Sequence, residues 1–167
     1  MKKKFVITFS GVPGSSKTPI AYYLSWNLGL PIFNNDTLRT ESIEDTGSFN
    51  PENYTKLRDA RLDQLLALNT SFIYDASIDR QWANGKVWLD KHSYEHFVIN
   101  MELDRDFVET LYKAKGYTQT DKLEGWFEDH EKFLQNYPDV PNIHITPEAF
   151  PGRLNISLKN IKEWINE

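Results

Sequence analysis

Gly11-Val12-Pro13-Gly14-Ser15-Ser16-Lys17-Thr18 stands between an apolar run, Phe5-Val6-Ile7-Thr8-Phe9, and a stretch in which Ile20, Tyr23, Leu24 and Leu28 recur at helical spacing before Gly29. The first run suits a buried central parallel strand, and the second an amphipathic helix closed by a glycine. A Gly/Ser turn between strand and helix is the setting in which backbone N–H groups and the positive end of the helix cradle phosphate. There, Lys17 reaches the β- and γ-phosphates of a nucleoside triphosphate and Thr18 offers its hydroxyl to Mg²⁺. The expected ligands are therefore ATP and Mg²⁺, with nucleotide contacts spread over Gly11, Val12, Pro13, Gly14, Ser15, Ser16, Lys17 and Thr18.

Two positions depart from the pattern G-x-x-x-x-G-K-[ST]. The residue before the lysine is Ser16, where glycine lets the backbone approach phosphate most closely. Two residues after the lysine, Pro19 lacks the N–H that would point toward the α-phosphate. Proline is tolerated in the first turn of a helix, so both departures bear on affinity more than on architecture.

The 167 residues are 40% hydrophobic and 14% aromatic, with five tryptophans, which fits one packed domain over residues 1–167 with a substantial core. The absence of cysteine excludes disulfides, thiolate metal sites and a cysteine nucleophile. A net charge of −5 argues against a long nucleic acid as the main partner. Met1-Lys2-Lys3-Lys4 imitates the start of a signal peptide, but the apolar run behind it is too short for one. No stretch approaches the ~20 apolar residues of a membrane span, and the expected location is the cytoplasm.

Further along, Leu30-Pro31-Ile32-Phe33 reads as a second strand ending at Asn34-Asn35-Asp36. A polar loop is expected from Thr40 to Tyr54, acidic through Glu41, Glu44, Asp45 and Glu52. Leu62, Leu65 and Leu66 stripe a helix from about Glu52 to Asn69. Phe72-Ile73-Tyr74 is a third strand ending at Asp75, and a weaker helix around Gln81–Lys91 contains Asn84-Gly85. His96–Leu103 is a strand. Asp104 caps a helix bearing Phe107, Val108, Leu111 and Tyr112, and Trp126, His130, Phe133 and Tyr137 mark another. Ile143-His144-Ile145 and a helix with Leu158, Ile161, Trp164 and Ile165 close the chain. Strands alternating with helices imply a parallel five-stranded sheet covered on both faces, with ligands beyond the carboxyl ends of the strands.

That edge makes Asp36 and Asp75 candidates. Asp36 and Arg39, one helical turn apart, suit acceptance of a hydroxyl proton and neutralisation of a transferring phosphoryl group, as well as the plainer roles of a helix cap and a solvated arginine. His92 and His96 do not share a helix face and lack a third ligand, and His130 falls on an aromatic stripe, where a core histidine is the common case.

With the Gly11–Thr18 loop, Asp36-x-x-Arg39 and Asp75-Ala76-Ser77 followed by Arg80, the chain resembles the small P-loop kinases that include polynucleotide 5′-hydroxyl kinases, zeta-toxin-like kinases and many predicted small-molecule kinases. The resemblance implies a three-layer P-loop NTPase fold and transfer of the ATP γ-phosphate to a hydroxyl of a small molecule, nucleoside or nucleotide. It implies that Asp36 activates the acceptor hydroxyl and that Arg39 contacts acceptor or phosphate. Acceptor or phosphate contacts at Asp75 and Arg80 complete the set. It also implies a helical lid at 105–122, in which Arg105, Lys113 and Lys115 are the candidate phosphate contacts. Ser16, Pro19 and the lysines in place of lid arginines keep open a nucleotide-binding or sensing protein without transferase activity. Arg153, near the last strand, is by position either a flank of the adenine or a surface residue.

Overall fold

In the computed structural model, which describes residues 4–118 and 120–166, the strands pair in parallel in the order β2-β3-β1-β4-β5. They are β1 (Phe5–Ser10), β2 (Ile32–Asn34), β3 (Phe72–Ser77), β4 (Glu95–Met101) and β5 (Ile143–Ile145). The helices are α1 (Lys17–Leu28), α2 (Asn35–Thr46), α3 (Pro51–Ala67), α4 (Trp82–Lys91), α5 (Arg105–Ala114), α6 (Leu123–Asn136) and α7 (Arg153–Ile165). β1 is central, in register with β4 from Phe5 opposite Glu95 to Ser10 opposite Asn100.

Side-chain alternation along the strands divides the interior into two cores. Phe5, Ile7 and Phe9 of β1 join Phe97, Ile99 and Met101 of β4 on the face covered by Ile20 and Leu24 of α1, Val108 of α5 and Ile161 of α7. Val6 and Val98 turn to the other face with Phe72, under Leu38 of α2, Leu66 of α3 and Leu89 of α4. α6 spans both, giving Leu123 to the first core and Phe133 to the second. This is the three-layer arrangement expected from the alternating elements.

The expected loop from Thr40 to Tyr54 is corrected: α2 runs to Thr46, and only Gly47–Asn50 separate it from α3. Asparagine decides both starts. Asn34 Oδ1 accepts from the N–H groups of Asp36 and Thr37, and Asn50 Oδ1 from those of Glu52 and Asn53. α2 buries only Leu38 and Ser42, so it lacks the apolar stripe by which a helix is recognised in sequence. The fourth strand ends at Met101, two residues short of the expected Leu103. Asn84-Gly85 sits inside α4 without breaking it.

Candidate active site

Beyond β1 the chain turns through Gly11 at φ 121°, Gly14 at φ 79° and Ser16 at φ 71° into α1. The two glycines are required by contact as well as conformation. A Cβ on Gly11 would lie 2.8 Å from Met101 Cβ, and one on Gly14 would enter the Tyr112 ring. Ser16 adopts the left-handed conformation that glycine takes without penalty, so the sequence departure at this position is a strained backbone in the structure. Among the described residues, the N–H groups of Gly14, Ser16, Lys17 and Thr18 find no acceptor in the chain, and they lie at the positive end of α1. That is the donor array an anion needs.

Lys17 folds over its own loop, donating from Nζ to Gly11 O (3.0 Å), Val12 O (2.6 Å) and Ser15 Oγ (3.1 Å). Burial pushes its ammonium from the ordinary 10.5 down to about 8, against the opposing pull of the Asp79 and Asp75 carboxylates. Thr18 Oγ1 donates to Asp75 Oδ1 at 3.3 Å, and Asn34 Nδ2 holds Asp75 Oδ2 at 2.8 Å. Burial raises the Asp75 pKa, its contacts with Thr18, Lys17 and Asn34 pull it back, and the charge of Asp36 pushes it up. β3 runs two residues past the expected end at Asp75, to Ser77, and Asp75 within it faces the hydroxyl of Thr18, with Asp36 close enough to be felt.

Asp36 lies exposed in the first turn of α2, and the guanidinium of Arg39 sits 4.6 Å over the ring of Phe49. Both charges act on the Tyr54 hydroxyl, whose pKa is raised chiefly by burial and then by Tyr74. Arg80 turns away to Asp129, at 3.7 Å. In the 105–122 interval, Arg105 is held by Glu109 and Glu124, and Lys113 is exposed at the end of α5. Lys115 Nζ donates to Gly14 O at 2.7 Å, while the Tyr112 hydroxyl donates to Pro13 O at 2.8 Å. Of the three basic residues expected there, only Lys115 meets the loop; Gln119, within the interval, lies outside the described residues, as do Met1 to Lys3. Arg153 stacks 4.0 Å from the Phe150 ring and donates from Nη2 to Ser16 Oγ at 3.4 Å, which sets it against the Gly11–Thr18 loop.

Two residues of this edge escape a reading by motif. Asp79 accepts the Gly11 N–H with both carboxylate oxygens at 3.2 Å, and His130 Nδ1 lies 3.0 Å from Asp79 Oδ2. Both side chains are buried. His130 is thus not a fully satisfied core histidine: its Nε2 is buried without a partner. The available signal was a second acidic residue four positions after Asp75, just past the strand end.

No group of three or more His, Cys, Asp or Glu side chains converges among the described residues. The Thr18 hydroxyl and the Asp75 carboxylate form a hard-oxygen pair that fits Mg²⁺ arriving with a nucleotide and keeping several of its waters. No helix of the described residues is long and apolar enough to cross a membrane.

No protein-family model and no curated protein matches the sequence. Solved structures match the fold. A sugar kinase from Janibacter is 14% identical with a TM-score of 0.67, covering 98% of this chain and 95% of that one. A gluconokinase from Sinorhizobium meliloti is 12% identical with a TM-score of 0.66, over 99% and 96%. A tunicamycin resistance protein from Deinococcus radiodurans is 17% identical with a TM-score of 0.65, over 96% and 95%. The chain has the fold of these proteins along almost its whole length.

Proposed function

We propose that the chain is an ATP-dependent phosphotransferase that moves the γ-phosphoryl group to a hydroxyl of a small molecule. The observation that carries this reading is the placement of Lys17, Thr18 and Asp75 around a turn of unpaired N–H groups, with the Asp36 carboxylate alongside. The fold shared with a sugar kinase and a gluconokinase supports it.

In the proposed reaction the acceptor oxygen forms a bond to the γ-phosphorus as the bond to the β,γ-bridging oxygen breaks. ADP departs with that electron pair, and the acceptor proton passes to Asp36. Lys17 turns from its own carbonyls to the β- and γ-phosphates and neutralises charge there. Thr18 and Asp75 would hold Mg²⁺, which would screen the phosphate charge there. Arg39, leaving Phe49, is the candidate contact to acceptor or phosphate, and Lys115 the candidate lid contact. Asp79 fixes the first peptide of the loop, so its role is positioning.

A nucleotide sensor without transfer is favoured by the strained Ser16 and by Lys17 bonding its own loop. Incubation with γ-labelled ATP, Mg²⁺ and a panel of polyols, sugars, nucleosides and aromatic alcohols separates the two. Label on one acceptor class, dependent on Lys17, is the expected result. Lys17-dependent ATP binding with no label beyond hydrolysis in any class leaves the sensor.

A further inference from the structure

Beneath α3 and α4, on the face of β1 and β3 away from α1, lies a cavity of about 580 Å³, within the range of small-molecule sites. Its walls are mostly apolar, with the flat rings of Phe72, Trp82 and Trp88 beside Val6 and Leu62, and Thr8, Gln81 and Asn84 supplying neutral polar groups. Val6 and Phe72 mark the end at the strand starts, and Tyr74 and Ile78 the end at the strand exits. At that second end the Tyr74 hydroxyl accepts from Asn35 Nδ2 at 3.1 Å, one residue before Asp36. The cavity thus runs along the sheet from the edge where transfer is placed.

Two features describe its occupant. Trp82 is buried, its one ring partner is His96 at 4.8 Å, and its indole N–H donates to no described residue. Though the residue is buried, this N–H is not among the buried, unpartnered atoms, so it remains accessible and can donate to a ligand oxygen. The charged residues lining the cavity are Arg58, Asp59 and Asp63. Arg58 is taken by Asp59 at 2.8 Å, whereas Asp63 forms no ion pair among the described residues, so the uncompensated charge of the lining is negative.

We infer that this cavity binds the body of a neutral or cationic compound with a flat apolar ring system and a hydroxyl. Resting on the proposed function, the inference makes that compound the phosphoryl acceptor, with its hydroxyl at the Asp36 edge and its rings between Trp82 and Trp88.

The test uses calorimetric titration of the full chain with 2-naphthol, 2-naphthylmethylammonium and 2-naphthalenesulfonate, alongside Mg-ATP. The neutral and cationic probes should bind saturably at one site, with the sulfonate about tenfold weaker or worse. Gly85 of α4 lines the cavity, and a Cβ there meets nothing within 4 Å. Gly85→Leu should therefore fill the space, weakening 2-naphthol by about tenfold and leaving Mg-ATP affinity unchanged. If that variant does not fold, Trp88→Ala, which removes one wall, must shift 2-naphthol affinity by about fivefold. Absence of saturable binding, equal affinity for the sulfonate, or indifference to the substitution that folds overturns the site. Naphthol binding without Mg-ATP binding keeps the site and removes its acceptor role, while Mg-ATP binding without naphthol binding removes the site and leaves the transfer reading standing.

Discussion

The Gly11–Thr18 loop and the α2–α3 segment flank the same sheet edge but are held in opposite ways. The loop is fixed from every side: Asp79 grips Gly11 N–H, Lys17 grips the Gly11 and Val12 carbonyls, and Tyr112 and Lys115 grip Pro13 and Gly14. α2 meets α3 through a few polar contacts, Asn53 Nδ2 to Ser42 Oγ at 3.4 Å and Arg61 to Glu41 at 3.5 Å, and most of α2 is exposed. Under the proposed function the comparison is a division of labour: the rigid loop serves phosphate, and the less constrained α2–α3 segment is free to fit a particular acceptor.

The strongest way to break that division is at Asp36. Asp36→Asn should lower phosphoryl transfer by about 10²–10⁴-fold, the usual weight of a general base, while Mg-ATP affinity stays within about twofold by calorimetry. Full transfer by the variant would assign the proton to another group. Lys17→Ala tests the other side. Turnover should fall by about 10²–10³-fold and Mg-ATP binding should weaken with it, because the lost charge serves phosphate in both states.

The protonation of Lys17 sharpens the same contrast. Its folded pKa of about 8 lies below the ordinary 10.5, so between these values the unfolded chain holds more protons than the folded one. This residue therefore makes stability rise with pH from about 8 to 10.5, an increment that Lys17→Met should remove in paired urea titrations. Nucleotide phosphates raise the pKa again, so binding near pH 8 should take up a fraction of a proton, visible as a dependence of calorimetric heat on buffer ionisation. The smallest expected effect is at Ser16. Relief of the left-handed serine by Ser16→Gly should add about 0.5–1 kcal/mol to stability and tighten Mg-ATP, with unchanged affinity arguing that the loop strain is irrelevant to binding.

The same contrast governs what could be read from sequence. The loop was legible because its glycines, lysine and threonine are contiguous and sit between a strand and a helix of clear periodicity. The strands at Phe5, Phe72 and Ile143 announced themselves by apolar content, and Asp104 by its capping position, where its side chain accepts from Phe107 N–H at 2.8 Å. α2 hid because Asn35–Thr46 has almost no apolar face; its start depends on a cap from Asn34 and its packing on one leucine. Asp79 and His130 are 51 residues apart in sequence, and only the meeting of α6 with the end of β3 brings them to 3.0 Å. The cavity was invisible for the same reason: its tryptophans and leucines are ordinary helix and strand residues until the layers are assembled.

Lys17 Nζ, resting on Gly11 O and Val12 O, satisfies two loop carbonyls from within the chain. On the proposed function, a nucleotide exchanges these ammonium hydrogen bonds for ones to its own phosphates. The heat released should accordingly be small for so charged a ligand. The swing of a single side chain takes about nanoseconds, so the rate of Mg-ATP capture should be set by diffusional encounter.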